Sequence, residues 1–167
     1  MRIGILTVSD RSARGERPDL SGPAIQEVIV EQGWEVSQME IVPDERQLLI
    51  DKLSFWADSG ELDIILTTGG TGFSPRDITP EATIEIVERA APGLAEAMRA
   101  ASLRVTPHAM MSRATAGIRG RTLIVNLPGS PRGAVENLQV ILPVFEHAAA
   151  LMTDDPGAEA GHRQVSK

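Results

Sequence analysis

Short, continuously apolar runs alternate along this chain with longer segments whose apolar residues recur at helical spacing, and no other feature restricts the fold as strongly. Residues 3–8 form the first run, and residues 23–30 then place Ile25, Val28 and Ile29 on one helical face. Residues 34–42 are a second extended candidate, 45–58 carry Leu48, Leu49, Leu53 and Trp56 at helical spacing, and 62–67 are a short buried-type run. Strands of this kind separated by helices predict a mostly parallel sheet covered on both faces by right-handed crossovers. The fold class is α/β, a three-layer α/β/α sandwich. With 167 residues and 42% hydrophobic content the chain suits one such domain with a real core and is short for two.

The second half is punctuated by proline. Thr79 reads as an N-cap with Pro80 at the first helical position, opening a helix through about residue 90, and Pro92-Gly93 restart it. Residues 94–103 carry Leu94, Ala97, Met98 and Ala101 on one face; between Thr106-Pro107 and Arg119-Gly120 a short helix and a hairpin both stay open. Residues 123–127 are a fourth buried strand, and Ser130-Pro131 repeat the cap-and-proline start before 135–144. From Thr153 onward large apolar side chains nearly vanish, so the domain is expected to span 1–152, with 153–167 a flexible tail.

Composition removes whole classes of chemistry. The chain has no cysteine, which excludes disulfide frameworks, thiolate metal sites and a cysteine nucleophile, and fits a reducing cytoplasm. The first nine residues are too short for a leader, and no stretch approaches the roughly 20 apolar residues of a membrane span, so a soluble cytoplasmic protein is expected. A net charge of −7 argues against nucleic-acid binding by bulk charge. Lysine occurs only at 52 and 167, so a phosphate site must use arginine, backbone N–H groups, helix N-termini or a metal ion. His108, His147 and His162 form no metal-binding spacing, and there is no G-x-S-x-G elbow.

In doubly wound folds ligands collect beyond the carboxyl ends of the strands, and each polar or glycine-rich segment of interest follows directly on a predicted strand. Thr67-Thr68-Gly69-Gly70-Thr71-Gly72 combines three glycines with three hydroxyls; its readings are an anion cradle of backbone amides and a plain tight turn, and the composition favours the cradle. It is neither a P-loop nor G-x-G-x-x-G. Arg76 and Asp77 follow, just before the Thr79 helix start; an arginine suits phosphate, whereas a carboxylate there implies Mg²⁺ or a proton-transfer role unless it only makes a turn. Asp44, after the second strand, is either an N-cap or a second carboxylate on the same rim.

The first strand delivers Ser9 and Asp10, followed by a loop with Arg14, Arg17 and Asp19. That loop is either solvated surface or a mobile flap whose arginines touch an anionic substrate. Pro128-Gly129-Ser130 supplies a further donor cluster, with plain helix capping as its rival.

Taken together, TVSDRS at 7–12, PDE at 43–45, TTGGTGFSPRDITPEAT at 67–83, MSR at 111–113 and GIRGRTLIVNLPGSPRGAVENL at 117–138 resemble the molybdopterin adenylyltransferase family, over about residues 2–152. The resemblance implies transfer of AMP from ATP, with Mg²⁺, to the terminal phosphate of molybdopterin in molybdenum cofactor biosynthesis. It also implies a homotrimer and hand-over of product to a molybdate-inserting enzyme. Carried over by motif, the family's functional aspartates fall on Asp44 and Asp77, with both as candidate Mg²⁺ ligands. Ser9, Asp10, Gly69, Gly70, Thr71, Gly72, Arg76, Pro128, Gly129 and Ser130 are the expected substrate and nucleotide contacts. Two rival readings are a molybdopterin-binding module of the same fold with weak or no catalysis, and a separated domain of the molybdate-inserting enzyme; the lack of a second domain disfavours the latter.

Overall fold

The structure, a computed structural model, describes residues 1–153. Apart from Thr153, the segment expected to be a tail lies outside the described residues. The strands are β1 (Arg2–Val8), β2 (Glu35–Val42), β3 (Ile64–Thr68), β4 (Arg89–Ala90), β5 (Ala116–Arg119) and β6 (Thr122–Leu127), and the first helix is the short α1 (Asp10–Ala13) directly after β1. They form a single six-stranded sheet in the order β2-β1-β3-β6-β5-β4. β2, β1, β3 and β6 are mutually parallel, while β5 runs antiparallel to β6 and β4 antiparallel to β5.

The period of two in each central strand divides the core. Ile3, Ile5, Ile64, Leu66, Leu123, Val125 and Leu127 face α2 (Ser21–Glu31), α5 (Pro92–Leu103) and α6 (Pro131–Ile141), whose Ile25, Ile29, Met98 and Leu138 are buried against them. Leu6, Val8, Ile65 and Ile124 face α3 (Arg46–Asp58) and α4 (Thr79–Ile86), which contribute Leu49, Leu53, Trp56, Ala82 and Ile86. Strands covered on both sides have no solvent-facing polar side, hence their predominantly apolar sequences.

The expected helix through residue 90 stops at Ile86. Val87 turns extended, and Glu88 N–H and Ala91 N–H donate to the carbonyls of Ile118 and Ala116 at 2.9 Å each. Residues 89–90 thereby become an edge strand, and the residue before Pro92 is steered away from helix in any case. The connection between Thr106 and Gly120 contains a 3-10 turn over Pro107–Met111 and then β5, whose hairpin partner is the following strand β6. Thr79 does not cap its helix: its hydroxyl donates to Gly69 O at 2.9 Å and its amide to Gly70 O at 3.0 Å, binding the helix start to the glycine loop. Ser130, by contrast, is the expected cap, accepting from Gly133 N–H. Among the described residues no helix is long and apolar enough to cross a membrane.

Candidate functional site

The parallel order puts the ends of β2, β1, β3 and β6 side by side on one rim. Ser9 N–H donates to Val42 O at 2.9 Å, joining the exits of β1 and β2. Thr68 Oγ1 donates to Pro128 O at 2.7 Å and Gly69 N–H to Leu127 O at 3.3 Å, joining the exits of β3 and β6. Gly70 has φ +64°, and a Cβ there would stand 2.4 Å from Thr79 Oγ1 and 3.1 Å from Asp44 Oδ1, so the Asp44 carboxylate lies against the glycine turn.

These turns enclose a cavity of about 470 Å³. Ser9, Asp44, Gly69, Gly70, Asp77, Gly129 and Ser130 all line it, together with Arg17 and Asp19. Asp44 is not a helix cap: its Oδ2 accepts the amide of Asp10 at 2.8 Å, while its own amide donates to Asp10 Oδ1 at 3.1 Å. Asp77 Oδ2 accepts from Ser74 N–H at 3.0 Å, a bond back into the loop and not one into the following helix, and the residue also faces the cavity. Among the described residues no donor reaches Oδ1 of either Asp44 or Asp77, so each acid retains an oxygen for a cation.

Burial pushes the Asp44 carboxyl above the ordinary aspartate range; the Asp10 amide opposes this, and the nearby charges of Asp10 and Asp77 reinforce it. Asp10 moves the other way. Desolvation acts against its ionised form, but the Arg76 guanidinium and the Asp44 amide together hold it below the usual value.

Not every expected contact meets in this cavity. Thr71, Gly72 and Pro128 line a second cavity of about 340 Å³, which shares Ser130 with the first. The loop thus divides two spaces, with Gly69 and Gly70 on one side and Thr71 and Gly72 on the other. Asp10 and Arg76 line neither; Arg76 grips Asp10 through Nε at 3.0 Å and Nη2 at 2.8 Å. This pair acts on Asp44 through Asp10 rather than facing the cavity itself.

In the remainder of the second wall Ser102 lies in no motif, and Ser112 and Asn137 lie inside segments of the resemblance that assign them no role, because α5, the 3-10 turn region and α6 are brought together only by the fold. The same holds for Arg113. Its Nε donates to Gly72 O at 2.7 Å, its Nη2 to Asp77 O at 2.6 Å, and its Nη1 pairs with Glu81, while its amide donates to Thr71 O at 2.9 Å. Only its place in MSR, part of the resemblance, drew attention to it. Asp19 had a findable signal, an acidic residue two before a helix start: Oδ1 accepts from the amides of Ser21 and Gly22 and Oδ2 from Thr7 Oγ1.

Known proteins give an independent comparison. Residues 4–147 match the family model described as a probable molybdopterin binding domain. The chain is 44% identical over 154 residues to a molybdopterin adenylyltransferase of Helicobacter pylori, covering 91% of this chain and 88% of that one. It is 41% identical to gephyrin of Dictyostelium discoideum, where 99% of this chain corresponds to 24% of that protein. The crystal structure of the molybdopterin biosynthesis enzyme MoaB from Thermus thermophilus superposes with a TM-score of 0.87 at 56% identity, covering 93% of this chain and 98% of that one. Agreement of family model, sequence and fold across nearly the whole described chain establishes that this protein belongs to the molybdopterin-binding-domain family.

Proposed function

We propose that this protein is a molybdopterin adenylyltransferase, joining the AMP of ATP to the terminal phosphate of molybdopterin in molybdenum cofactor biosynthesis. The observation that carries this reading is that Asp44 and Asp77, from turns after different strands, line one cavity with Gly69 and Gly70, in a chain 44% identical to a relative of that name. The binding-module reading has no comparable support.

The two cavities suit two substrates. The first, with its glycine turn and acids, fits a nucleotide polyphosphate; the second combines Ser102, Ser112, Asn137, Arg99 and Glu136 with Ala109 and Met111, hydrogen-bonding groups beside apolar surface for a flat ring such as a pterin. Ser130, common to both, sits where the two substrates meet. A phosphate oxygen of molybdopterin attacks Pα of ATP, the bond from Pα to the bridging oxygen breaks, and pyrophosphate leaves. That nucleophile is already ionised at neutral pH, so positioning and charge stabilisation carry the rate rather than a general base.

Mg²⁺ fits the donor set. Among the described residues no cluster of three acidic or histidine ligands exists, but Mg²⁺ is commonly held by one or two carboxylates plus substrate phosphates, and Asp44 Oδ1 and Asp77 Oδ1 are open. When bound it supplies charge neutralisation at the phosphates. The protein's own contributions are the amides of the glycine turn, the fixed carboxylates and Ser130.

The same reading takes the protein as a cytoplasmic homotrimer that passes its adenylylated product to a molybdate-inserting enzyme and binds neither nucleic acid nor membrane. A net charge of −7 supports the absence of nucleic acid from its partners. The test is incubation with molybdopterin and Mg-ATP labelled at the α-phosphate. Labelled pterin with stoichiometric pyrophosphate is expected; binding without label transfer would identify a module. Light scattering checks the trimer.

A further inference from the structure

We propose that Arg17 is a substrate-binding residue that takes the polyphosphate of the nucleotide, an inference that rests on the adenylyltransferase reading. The first cavity is lined by three acids, Asp19, Asp44 and Asp77, and among the described residues Arg17 is the only arginine, lysine or histidine in its wall. A polyanion entering a space walled by carboxylates is repelled unless cations oppose them. Mg²⁺ held by Asp44 and Asp77, which follow β2 and β3, would serve that purpose. Arg17, from the loop after β1, lines the same wall and donates to Ser9 Oγ.

The availability of this guanidinium distinguishes it from its neighbours. Arg14, on the same loop, is engaged by Glu16 at 2.7 Å, and Arg76 is held in a two-point contact by Asp10. Arg17 makes no ion pair among the described residues, and of its five N–H donors one forms a single long bond, 3.4 Å, to Ser9 Oγ. The acids flanking Arg17 in sequence are both engaged: Glu16 by Arg14, and Asp19 by the amides of Ser21 and Gly22 and the hydroxyls of Ser21 and Thr7. The bonds to Asp19 pin the chain two residues beyond Arg17, and Pro18 restricts the backbone between them. Arg17 is therefore a free fork on an anchored base, and the forked planar geometry matches phosphate oxygens.

The phosphate it recognises has two sources, the nucleotide and the monophosphate of molybdopterin. The nucleotide is favoured because Arg17 lines the first cavity and not the second. Arg17→Ala, Arg17→Lys and Arg14→Ala are compared with the unaltered protein by calorimetric binding of Mg-ATP, tripolyphosphate and AMP, and by adenylylation kinetics.

Arg17→Ala is expected to weaken Mg-ATP and tripolyphosphate binding about tenfold or more while AMP binding changes less than twofold. KM for ATP rises with little change in kcat, Arg17→Lys is intermediate, and Arg14→Ala behaves like the unaltered protein. Equal tripolyphosphate affinity with and without the Arg17 side chain overturns the proposal, as does an equal loss of AMP and ATP binding, which signals a damaged pocket. A rise in KM for molybdopterin alone overturns it in favour of the pterin phosphate. If tripolyphosphate binding depends on Arg17 but the unaltered protein makes no labelled pterin, the Arg17 assignment stands and the adenylyltransferase reading fails.

Discussion

A Cβ added to Gly69 would stand 2.3 Å from the carbonyl oxygen of Val8, so the exit of β3 passes the exit of β1 at a distance only a glycine permits. The backbone there has φ +103°, a conformation closed to ordinary side chains. Two neighbouring strands can thus open into one cavity, because their turns are in backbone contact. Gly129 completes the arrangement from β6, where an added Cβ would lie 3.0 Å from Gly69 Cα.

Gly69→Ala is therefore expected to destabilise the protein by about 2–4 kcal/mol, from unfavourable backbone conformation and collision with main chain that has no rotamer to relieve it. Urea unfolding measures the loss. A change below about 0.5 kcal/mol would mean that the loop adjusts freely.

Asp44→Asn and Asp77→Asn keep an acceptor oxygen for the Asp10 and Ser74 amides but remove the charge. Each is expected to lower kcat/KM for adenylylation by about 10²-fold or more, equivalent to roughly 3 kcal/mol of transition-state stabilisation, with thermal midpoints nearly unchanged. Initial rates with α-labelled ATP, alongside melting curves, separate the two effects. Retention of full rate by either variant removes that residue from the scheme.

Because burial first, and the Asp10 and Asp77 charges after it, raise the Asp44 carboxyl, it takes up a proton on acidification before an ordinary aspartate does. The ionised form is the one that holds a cation, so the acid limb of kcat/KM is expected above the ordinary aspartate value and should disappear in Asp44→Asn. Stability responds with the opposite sign. The folded state retains this proton more firmly than the unfolded chain, so ionisation of Asp44 as pH rises through that window costs stability rather than adding to it. The pH profiles of rate and of unfolding free energy check both.

Arg113 bridges Gly72 O, Asp77 O and Glu81, closing the long loop between β3 and α4. Arg113→Ala is expected to cost about 2–3 kcal/mol, and Arg113→Lys to recover less than half, since an ammonium cannot reproduce the three-way fork. Hydrogen exchange over residues 70–78 should accelerate in both variants. Unchanged protection of that segment would show that the loop holds itself.

The parallel core was legible because strands buried on both faces are dominated by apolar residues, and β1, β3 and β6 carry Ile3, Ile5, Leu6, Ile64, Ile65, Leu66, Leu123, Ile124 and Val125 in short runs. Of their buried polar residues, Thr67 and Asn126 are hydrogen-bonded to each other. β4 and β5 were not legible. Arg89–Ala90 is a two-residue strand, and Ala116–Arg119 contains a glycine; both exist because a neighbouring backbone supplies hydrogen bonds that no local pattern announces. Thr79 likewise has the composition of a helix cap but spends its hydroxyl on Gly69 O, a partner ten residues away.

By itself, the sequence determined the layered α/β architecture, the glycine turn and the two acids beyond the strand ends, because periodicity and residue chemistry are local properties of the chain. Tertiary structure alone decided that the glycine turn separates two cavities, that Asp10 and Arg76 pair with each other instead of facing a ligand, and that Arg17 remains available. Those outcomes depend on which side chains meet across the rim, and the order of strands in the sheet governs that meeting, not their order in the chain.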